Sequence, residues 1–518
     1  MNKLYFALAA LAASAVILSC KPLEKNQKVY ADSITQTELK DMLYTYASDT
    51  YQGRETGTPG QKKAVEFIKQ HYVNLGISSP IAKDDYFQEV PLQIVKAPTV
   101  HITINDQVFE YYKDFIAYGN AQSDTINVSE IVYAGYGIID KNYNDYENLN
   151  VKDKVVIVKA GEPKDKNGNN LLSGNQLASK WNNGRAGIAT KRDAAKNQGA
   201  KAVFFIDDEL FNHYAPNFQK RDEDDNHKRL SLVDKDKPMY VFLISEAMGK
   251  LLAPSSDSSF MPTTHEANIS ITYINSTQAM TSENVIAYIP GTEKPEEYIV
   301  LSAHLDHIGI NDQGEVFNGA DDDGSGTVAI IEIAEAFKKA VENGHGPKRS
   351  ILFLHVTGEE KGLLGSRYYT DIDPIVPLSK TIANLNIDMI GRTDPKHDSN
   401  NNRNYLYLIG SDKLSTELHN ISEEVNNKYT NIEFDYTYND DNDPNRFYYR
   451  SDHYNFAKNN VPVIFYFNGT HDDYHKISDT PDKIQYDLLE HRTKLIFHTA
   501  WELANREKTI AADKASTE

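Results

Sequence analysis

Short apolar runs bounded by turn residues recur through the second half of the chain: Ile299-Val-Leu-Ser-Ala, Ile351-Leu-Phe-Leu, 382–387, 405–409 and 461–467. Runs of this length without alternation read as strands buried on both faces, as in a parallel sheet covered by helices. Helical spacing lies between and around them. Val328, Ile331, Ala334, Phe337 and Val341 share one face of a predicted helix over 327–341, and 488–504 reads as a closing helix. Upstream, Leu39, Met42, Leu43 and Tyr46, then Ala64, Phe67, Ile68 and Tyr72, give two helical stretches within 35–76. A turn-rich loop, Gly53-Arg54-Glu55-Thr-Gly-Thr-Pro-Gly60, separates them.

Between 105 and 275 the texture changes. Short β-like runs at 131–134, 155–158, 202–206 and 240–244 alternate with Asn, Asp, Gly and Lys clusters, with one amphipathic helix over 188–197. The pattern predicts an α/β domain with a mixed, mostly parallel sheet flanked by helices. That domain is built from 33–104 and 276–510 and carries a β-rich insertion at 105–275. In the insertion, the run Asp222-Glu223-Asp224-Asp225 reads as a solvated loop. The first 20 residues stand apart from the fold. Lys3 precedes an apolar stretch from Leu4 to Leu18 that is too short for a typical membrane span. Its end, Ile17-Leu18-Ser19-Cys20, resembles a bacterial lipoprotein signal with Cys20 as the lipidated residue, and 21–32 reads as a polar tether. The resemblance implies export and anchoring to a membrane, in the periplasm or at the cell surface.

Composition narrows the chemistry. With 40% hydrophobic and 25% charged residues, a chain of 518 is an ordinary globular protein of two or three domains. A net charge of −20 argues against nucleic acid or anionic membrane as a partner, because nothing offsets phosphate repulsion. Cys20 is the one cysteine, so no disulfide forms within the chain. Any cation would be held by His and carboxylates, a donor set that suits zinc, manganese or cobalt.

Several of the apolar runs end in such donors. His304 closes the first and is followed by Asp306 and His307; Glu359 and Glu360 follow the second; Asp388 interrupts the apolar run from Leu385 to Ile390. Buried lone carboxylates are expensive unless paired or metal-bound. Asp321-Asp322-Asp323 repel one another unless a cation reverses the penalty. Downstream of 461–467 lie His471, Tyr474 and His475. In open α/β sheets ligands bind beyond the carboxyl ends of the strands, so these scattered residues are expected on one rim. Spacing leaves His307 as a competitor of His304, and His471 as a competitor of His475.

Taken in order, His304-x-Asp306, Gly319-Ala-Asp-Asp322-Asp-Gly-Ser-Gly, Gly358-Glu359-Glu360, Asn386-Ile-Asp388 and Tyr474-His475-x-x-x-Asp479-Thr480 resemble the M28 family of two-zinc metallopeptidases. The resemblance covers about 33–104 and 276–505. The insertion, with Ala134-Gly-Tyr-Gly and Asn197-Gln-Gly-Ala-Lys-Ala-Val, is similar to protease-associated domains. Carried over by motif, His304 and Asp388 would hold one metal, Glu360 and His475 the other, and Asp322 would bridge them. Glu359 would be the general base, Asp306 would orient His304, and Tyr474 would help hold the oxyanion. The implied cofactors are two Zn2+, with Co2+ or Mn2+ also suited. The implied activity is removal of N-terminal residues from peptide substrates by a hydroxide held between the metals. The alternatives are a carboxypeptidase or dipeptidase, for which Arg446, Arg450 or Arg185 would reach a substrate carboxylate, a single-zinc glutaminyl cyclase, and a surface lipoprotein whose metal site is structural.

Overall fold

A computed structural model describes residues 26–223, 229–233, 239–252 and 262–515. Cys20 and the leader lie outside the described residues. Among those described, no helix is long and apolar enough to cross a membrane. The chain divides into two compact units, one made of the residues up to Pro91 with those from Met280 onward, the other of Leu92–Ala279.

The first unit is layered. Its helices include α1 (Gln36–Tyr46), α2 (Pro59–Leu75), α3 (Gly326–Glu342), α4 (Thr416–Tyr429) and α5 (Tyr486–Asn505). Local chemistry sets their ends. The Thr35 side chain caps α1 by accepting from the Glu38 amide, while α2 starts with Pro59 and stops at Gly76 in the left-handed region, φ 63°. The strands are β1 (Phe87–Val95), β2 (Gln278–Ile289), β3 (Lys294–His304), β4 (Arg349–Val356), β5 (Thr381–Ile387), β6 (Tyr405–Ile409), β7 (Glu433–Asp435) and β8 (Val463–Phe467). They lie side by side in the order β1-β2-β4-β3-β5-β8-β6-β7.

The centre, β4-β3-β5-β8, is parallel throughout, whereas β2 meets β4, and β6 meets β8, antiparallel. The continuous apolar runs are explained by burial on both faces. Ile299, Leu301 and Ala303 of β3 join the core under α3 and α5, while Val300 packs with Leu352, Leu354 and Val463 on the other side. All four central strands point the same way, so their carboxyl ends share one rim.

The second unit holds a mixed sheet whose strands include 99–104, 124–133, 155–159, 202–206, 240–244 and 263–274. Its helix Gly184–Asn197 starts one turn earlier than the amphipathic pattern marks. A second helix, Asp208–Asp222, has its start fixed by the Asp207 side chain, which accepts from the Leu210 amide. Asp222 is therefore the last residue of a helix and not part of a solvated loop. It is paired with Arg221 and accepts from the Tyr112 hydroxyl. Asp224 and Asp225 lie outside the described residues.

A further difference concerns the tether. Residues 26–31 are helical, and Gln27, Tyr30, Ala31 and Ile34 are buried. Their i, i+3, i+4, i+7 spacing is that of a packed helical face, and Tyr30 stacks on Trp501 at 5.8 Å. The second half of the segment read as tether thus belongs to the first unit.

The loop between α1 and α2 ties the N-terminal segment to the rim. Gln52, Gly53 and Arg54 all have positive φ (53°, 62° and 51°). A Cβ on Gly53 would meet the carbonyls of Gly309 and Phe317 at 2.3 and 2.5 Å, so no side chain fits there. The tight turn delivers Arg54 into the interior. Its guanidinium donates to the carbonyls of Leu305 (3.1 Å), Asn318 (2.6 Å) and Gly319 (2.9 Å) and lies over the Tyr46 ring. One buried fork thereby holds the loop after β3 against the loop before α3. Arg54→Met removes three charge-assisted hydrogen bonds, at about 1–3 kcal/mol each, and leaves the Asn318 carbonyl unmet, while Leu305 keeps the Tyr46 hydroxyl and Gly319 the Gly324 amide. Thermal melts should show a loss on the order of several kcal/mol, and Arg54→Lys, whose single ammonium lacks the fork, should recover only part of it. An unchanged melting temperature in Arg54→Met would remove this tie from the account.

Glu332 is an oddity on α3. It is buried, and burial, with Glu38 and Glu335 nearby, raises its pKa from 4.5 to about 8; a backbone hydrogen bond from Thr35 and the charge of Lys339 offset this only in part. In the unfolded chain it ionises near 4.5. Between these values the fold binds a proton that the unfolded chain has lost, so stability declines as pH climbs from about 4.5 through about 8. At about 1.4 kcal/mol per pKa unit the ionised form costs a few kcal/mol. Glu332→Gln should raise the melting temperature clearly at pH near 8 and little at pH near 4.5; an equal gain at both would rule out titration of Glu332 as the cause.

Candidate metal centre

Four neighbouring strand ends supply the site. His304 is the last residue of β3 and pairs in register with Val356, so Glu359 and Glu360 emerge just beyond β4 at the same level. Asp388 follows β5 directly, and the loop after β8 brings Tyr474 and His475. Asp322 arrives on the loop between β3 and α3. The five metal-type residues then form a continuous line. His304 Nε2 is 3.6 Å from Asp388 Oδ1 and 3.1 Å from Asp322 Oδ1. His475 Nε2 is 3.1 Å from Asp322 Oδ2 and 3.2 Å from Glu360 Oε2. Each oxygen of the central carboxylate therefore faces a different imidazole.

The neighbours of Asp322 show why it alone of the three acids is free for this. Asp321 accepts from the Gly391 amide at 2.7 Å and faces His471 Nε2 at 3.2 Å. Asp323 accepts from the amides of His304, Gly326 and Met389. Asp323 also lies within 4.8 Å of the donor atoms of His304 and Asp388, but those three amides already occupy its oxygens. Asp479 accepts from the amides of both Asp321 and Asp322 and so fixes the loop. The pairing with Asp321 turns His471 away from the line, whereas His475 faces it.

His307 remains close. Its Nδ1 is 2.9 Å from Glu360 Oε1 and 3.8 Å from Asp322 Oδ2, and its ring is fully buried. It stands beside the line as an additional donor that spacing left open.

Asp306 acts on His304 in a way the motif did not specify. His304 Nδ1 is 3.0 Å from the Asp306 backbone carbonyl, which can only accept, so Nδ1 carries the proton and Nε2 is left bare toward Asp322 and Asp388. The Asp306 carboxylate is 4.0 Å from that nitrogen. It accepts instead from the Thr56 hydroxyl (2.8 Å) and the Glu359 amide (3.1 Å), so it sets the position of Glu359 as well. Ser451 donates to Asp388 Oδ2 at 2.7 Å, which orients the carboxylate; nothing in the sequence pattern marked that serine.

The electrostatics are those of crowded acid. Burial opposes protonation of His475, yet Asp322 and Glu360 raise its pKa to about 10. Burial, with Glu360 and Asp388 adding to it, pushes the Glu359 carboxyl well above its usual range. Burial and the same carboxylates hold the Tyr474 phenol protonated; its ring stacks on His475 with centroids 3.8 Å apart. Among the described residues, His304 Nε2, Asp322 Oδ2 and Glu360 Oε1 are buried atoms without a hydrogen bond. Buried bare donors of this kind, nitrogen and oxygen together and no sulfur, fit divalent zinc-type cations.

The match to known proteins agrees with this reading of the rim. Residues 284–500 match the family described as peptidase family M28. A probable glutamate carboxypeptidase of Arabidopsis thaliana is 34% identical over 120 residues, which are 23% of this chain and 16% of the plant protein. Leucine aminopeptidase 2 of Arthroderma otae is 30% identical over 226 residues, 44% of this chain and 40% of that protein. The chain thus aligns with much less than two thirds of either relative. Among solved structures, an aminopeptidase from Aneurinibacillus sp. strain AM-1 overlays with a TM-score of 0.47 at 18% identity, covering 94% of this chain and 98% of that one. The stretch that matches peptidase family M28, residues 284–500, carries the whole line of donors.

Proposed function

We propose that the protein is a metal-dependent exopeptidase that removes N-terminal residues from peptides. The observation that carries this is the line Asp388–His304–Asp322–His475–Glu360 with Glu359 beside it. His304 and Asp388 would hold one divalent cation, His475 and Glu360 a second, and Asp322 would contribute one oxygen to each. When bound, such cations supply Lewis acidity toward a carbonyl and bring the ionisation of water close to neutral pH.

The remaining steps fall to the chain itself. Glu359 is the carboxyl next to the line that is not part of it, with its amide pinned by Asp306. It takes the proton from the attacking water and passes it to the leaving amine. Tyr474, kept as a phenol, donates to the oxyanion as the carbonyl carbon becomes tetrahedral. A cleft lined by Glu359, Asp388, Tyr474, Phe447, Phe465 and Phe467 takes the substrate, with aromatic rings for a side chain and carboxylates for a free ammonium.

One observation favours a second reading. Arg450 lines the same cleft, stacked over Phe447 at 4.6 Å, without a carboxylate partner among the described residues. A carboxypeptidase or dipeptidase would use it to hold a substrate carboxylate. Arg446 instead lies over Tyr449, and Arg185 belongs to the second unit and pairs with Tyr214.

The two readings separate on a panel of aminoacyl anilides and their N-acetyl forms. The proposal expects turnover of the free amines alone, and cleavage confined to blocked substrates would defeat it. Glu359→Gln should keep two metal equivalents, measured by elemental analysis, while kcat/KM drops by about 10²–10⁴. Unchanged turnover would exclude Glu359 as the base, and full activity at one equivalent would favour single-metal cyclisation chemistry.

A further inference from the structure

The second unit holds a concentration of positive charge that the peptidase chemistry does not use. Two adjoining recesses of about 520 Å³ each share Tyr118, Gly119, Asn120 and Ser231 as a common wall. Lys96, Arg185, Arg221 and Arg229 line the first, and Arg192 and Lys196 line the second. All six come from the unit Leu92–Ala279 of a chain whose net charge is −20.

Their partners leave most of this charge unmet. Arg221 pairs with Asp222 at 2.7 Å, and Arg192 with Asp193 at 2.8 Å. Arg185 donates to a neutral phenol, the Tyr214 hydroxyl, at 2.7 Å. Lys96, Lys196 and Arg229 have no carboxylate partner among the described residues. Arg229 is held below the usual arginine pKa by desolvation and by the charges of Arg221 and Arg185. Lys96, Arg185, Lys196 and Arg229 are exposed and Arg192 and Arg221 half-buried, so the six present their charge to solvent at the recess walls, where like charges repel.

The walls between the cations are flat and apolar. Tyr111, Tyr118, Phe218 and Pro98 face the first recess. Arg221 lies 4.2 Å over the Phe218 ring and Arg185 lies 5.1 Å from the Tyr214 centroid. Such stacking holds guanidinium planes in place, so that their forks meet an anion with little further loss of freedom.

We propose that these adjoining recesses form a binding site for a small ligand bearing two or more anionic groups on a flat or apolar body. The arginines take the anions as charge-assisted pairs, and the rings take the body. Carboxylate, phosphate and sulfate share the required chemistry. The site lies wholly within the second unit and stands whether or not the peptidase proposal does.

Titration calorimetry on the full chain at about 0.15 M salt tests it. The probes are benzene-1,3,5-tricarboxylate, inorganic tripolyphosphate and sucrose octasulfate, and the one that binds identifies the class of anion. The expected result is saturable binding of one equivalent of at least one probe, weakened about tenfold or more in Arg185→Ala/Arg229→Ala. Arg229→Gln alone should weaken binding while melting no lower than the parent, because it relieves repulsion; this keeps the test valid where the double variant folds poorly. Failure of all three probes to bind overturns the proposal. So does binding of equal strength in Arg229→Gln, which would place the anion elsewhere, including on a metal at the rim.

Discussion

The arrangement depends on one carboxylate, that of Asp322, held between two imidazoles in the interior. His304 and His475 each stand 3.1 Å from a different oxygen of it. Glu359, Glu360 and Asp388 crowd the same space. Buried carboxylates in this number repel and lose hydration, and a fold tolerates them only where positive charge is supplied at defined points. The geometry offers two such points, one on each side of Asp322. Two residues beside this carboxylate, His475 and Met389, have positive φ, 56° and 64°. Residues in that region persist only where their surroundings over-determine them, which is common where function sets the conformation.

The loop that carries Asp322 is held by hydrogen bonds from residues outside the line of donors. Asp321, Asp323 and Asp479 accept backbone amides, and Arg54 donates to backbone carbonyls. They hold the loop so that one member of the run can face the rim. Asp306 works in the same manner twice, through its carbonyl on His304 and through its carboxylate on the Glu359 amide. The positions of His304 and Glu359 are thus coupled through a single residue.

The strands of the first unit and the convergence of their ends were legible because a doubly buried strand writes an unbroken apolar run, and a ligand placed after it interrupts that run with charge. His304, Glu359, Glu360 and Asp388 are readable in this way. The choice of Asp322 within its triplet was not readable from periodicity, because loop residues have no fixed face; only the motif resemblance supplied it. The choice of His475 over His471 depended on which acid each ring meets, a long-range fact. The interior role of Arg54 was not legible, because a buried guanidinium satisfied by carbonyls leaves no charged partner in the sequence. The helix over 26–31 was missed although its spacing was present, since Lys25, Lys28 and Asp32 gave the segment the look of a polar tether. The helix Asp208–Asp222 was hidden by its polar composition and the proline within it.

The total charge of −20 conceals two opposite fields, an acidic one at the rim and a basic one in the recesses of the second unit. The basic residues are scattered from Lys96 to Arg229, so no run of sequence shows them as a patch. The excess of acid elsewhere gives no long-range attraction for a polyanion, and screening confines the influence of exposed charges to about 8 Å at physiological ionic strength. Cations placed in this setting act at contact range only. In the proposed site they would favour a ligand small enough to enter the recess and bring its anionic groups to the arginine forks over an extended polyanion, which a chain of net charge −20 repels. Size selection of this kind follows from the contrast between local and total charge, which neither field would produce alone.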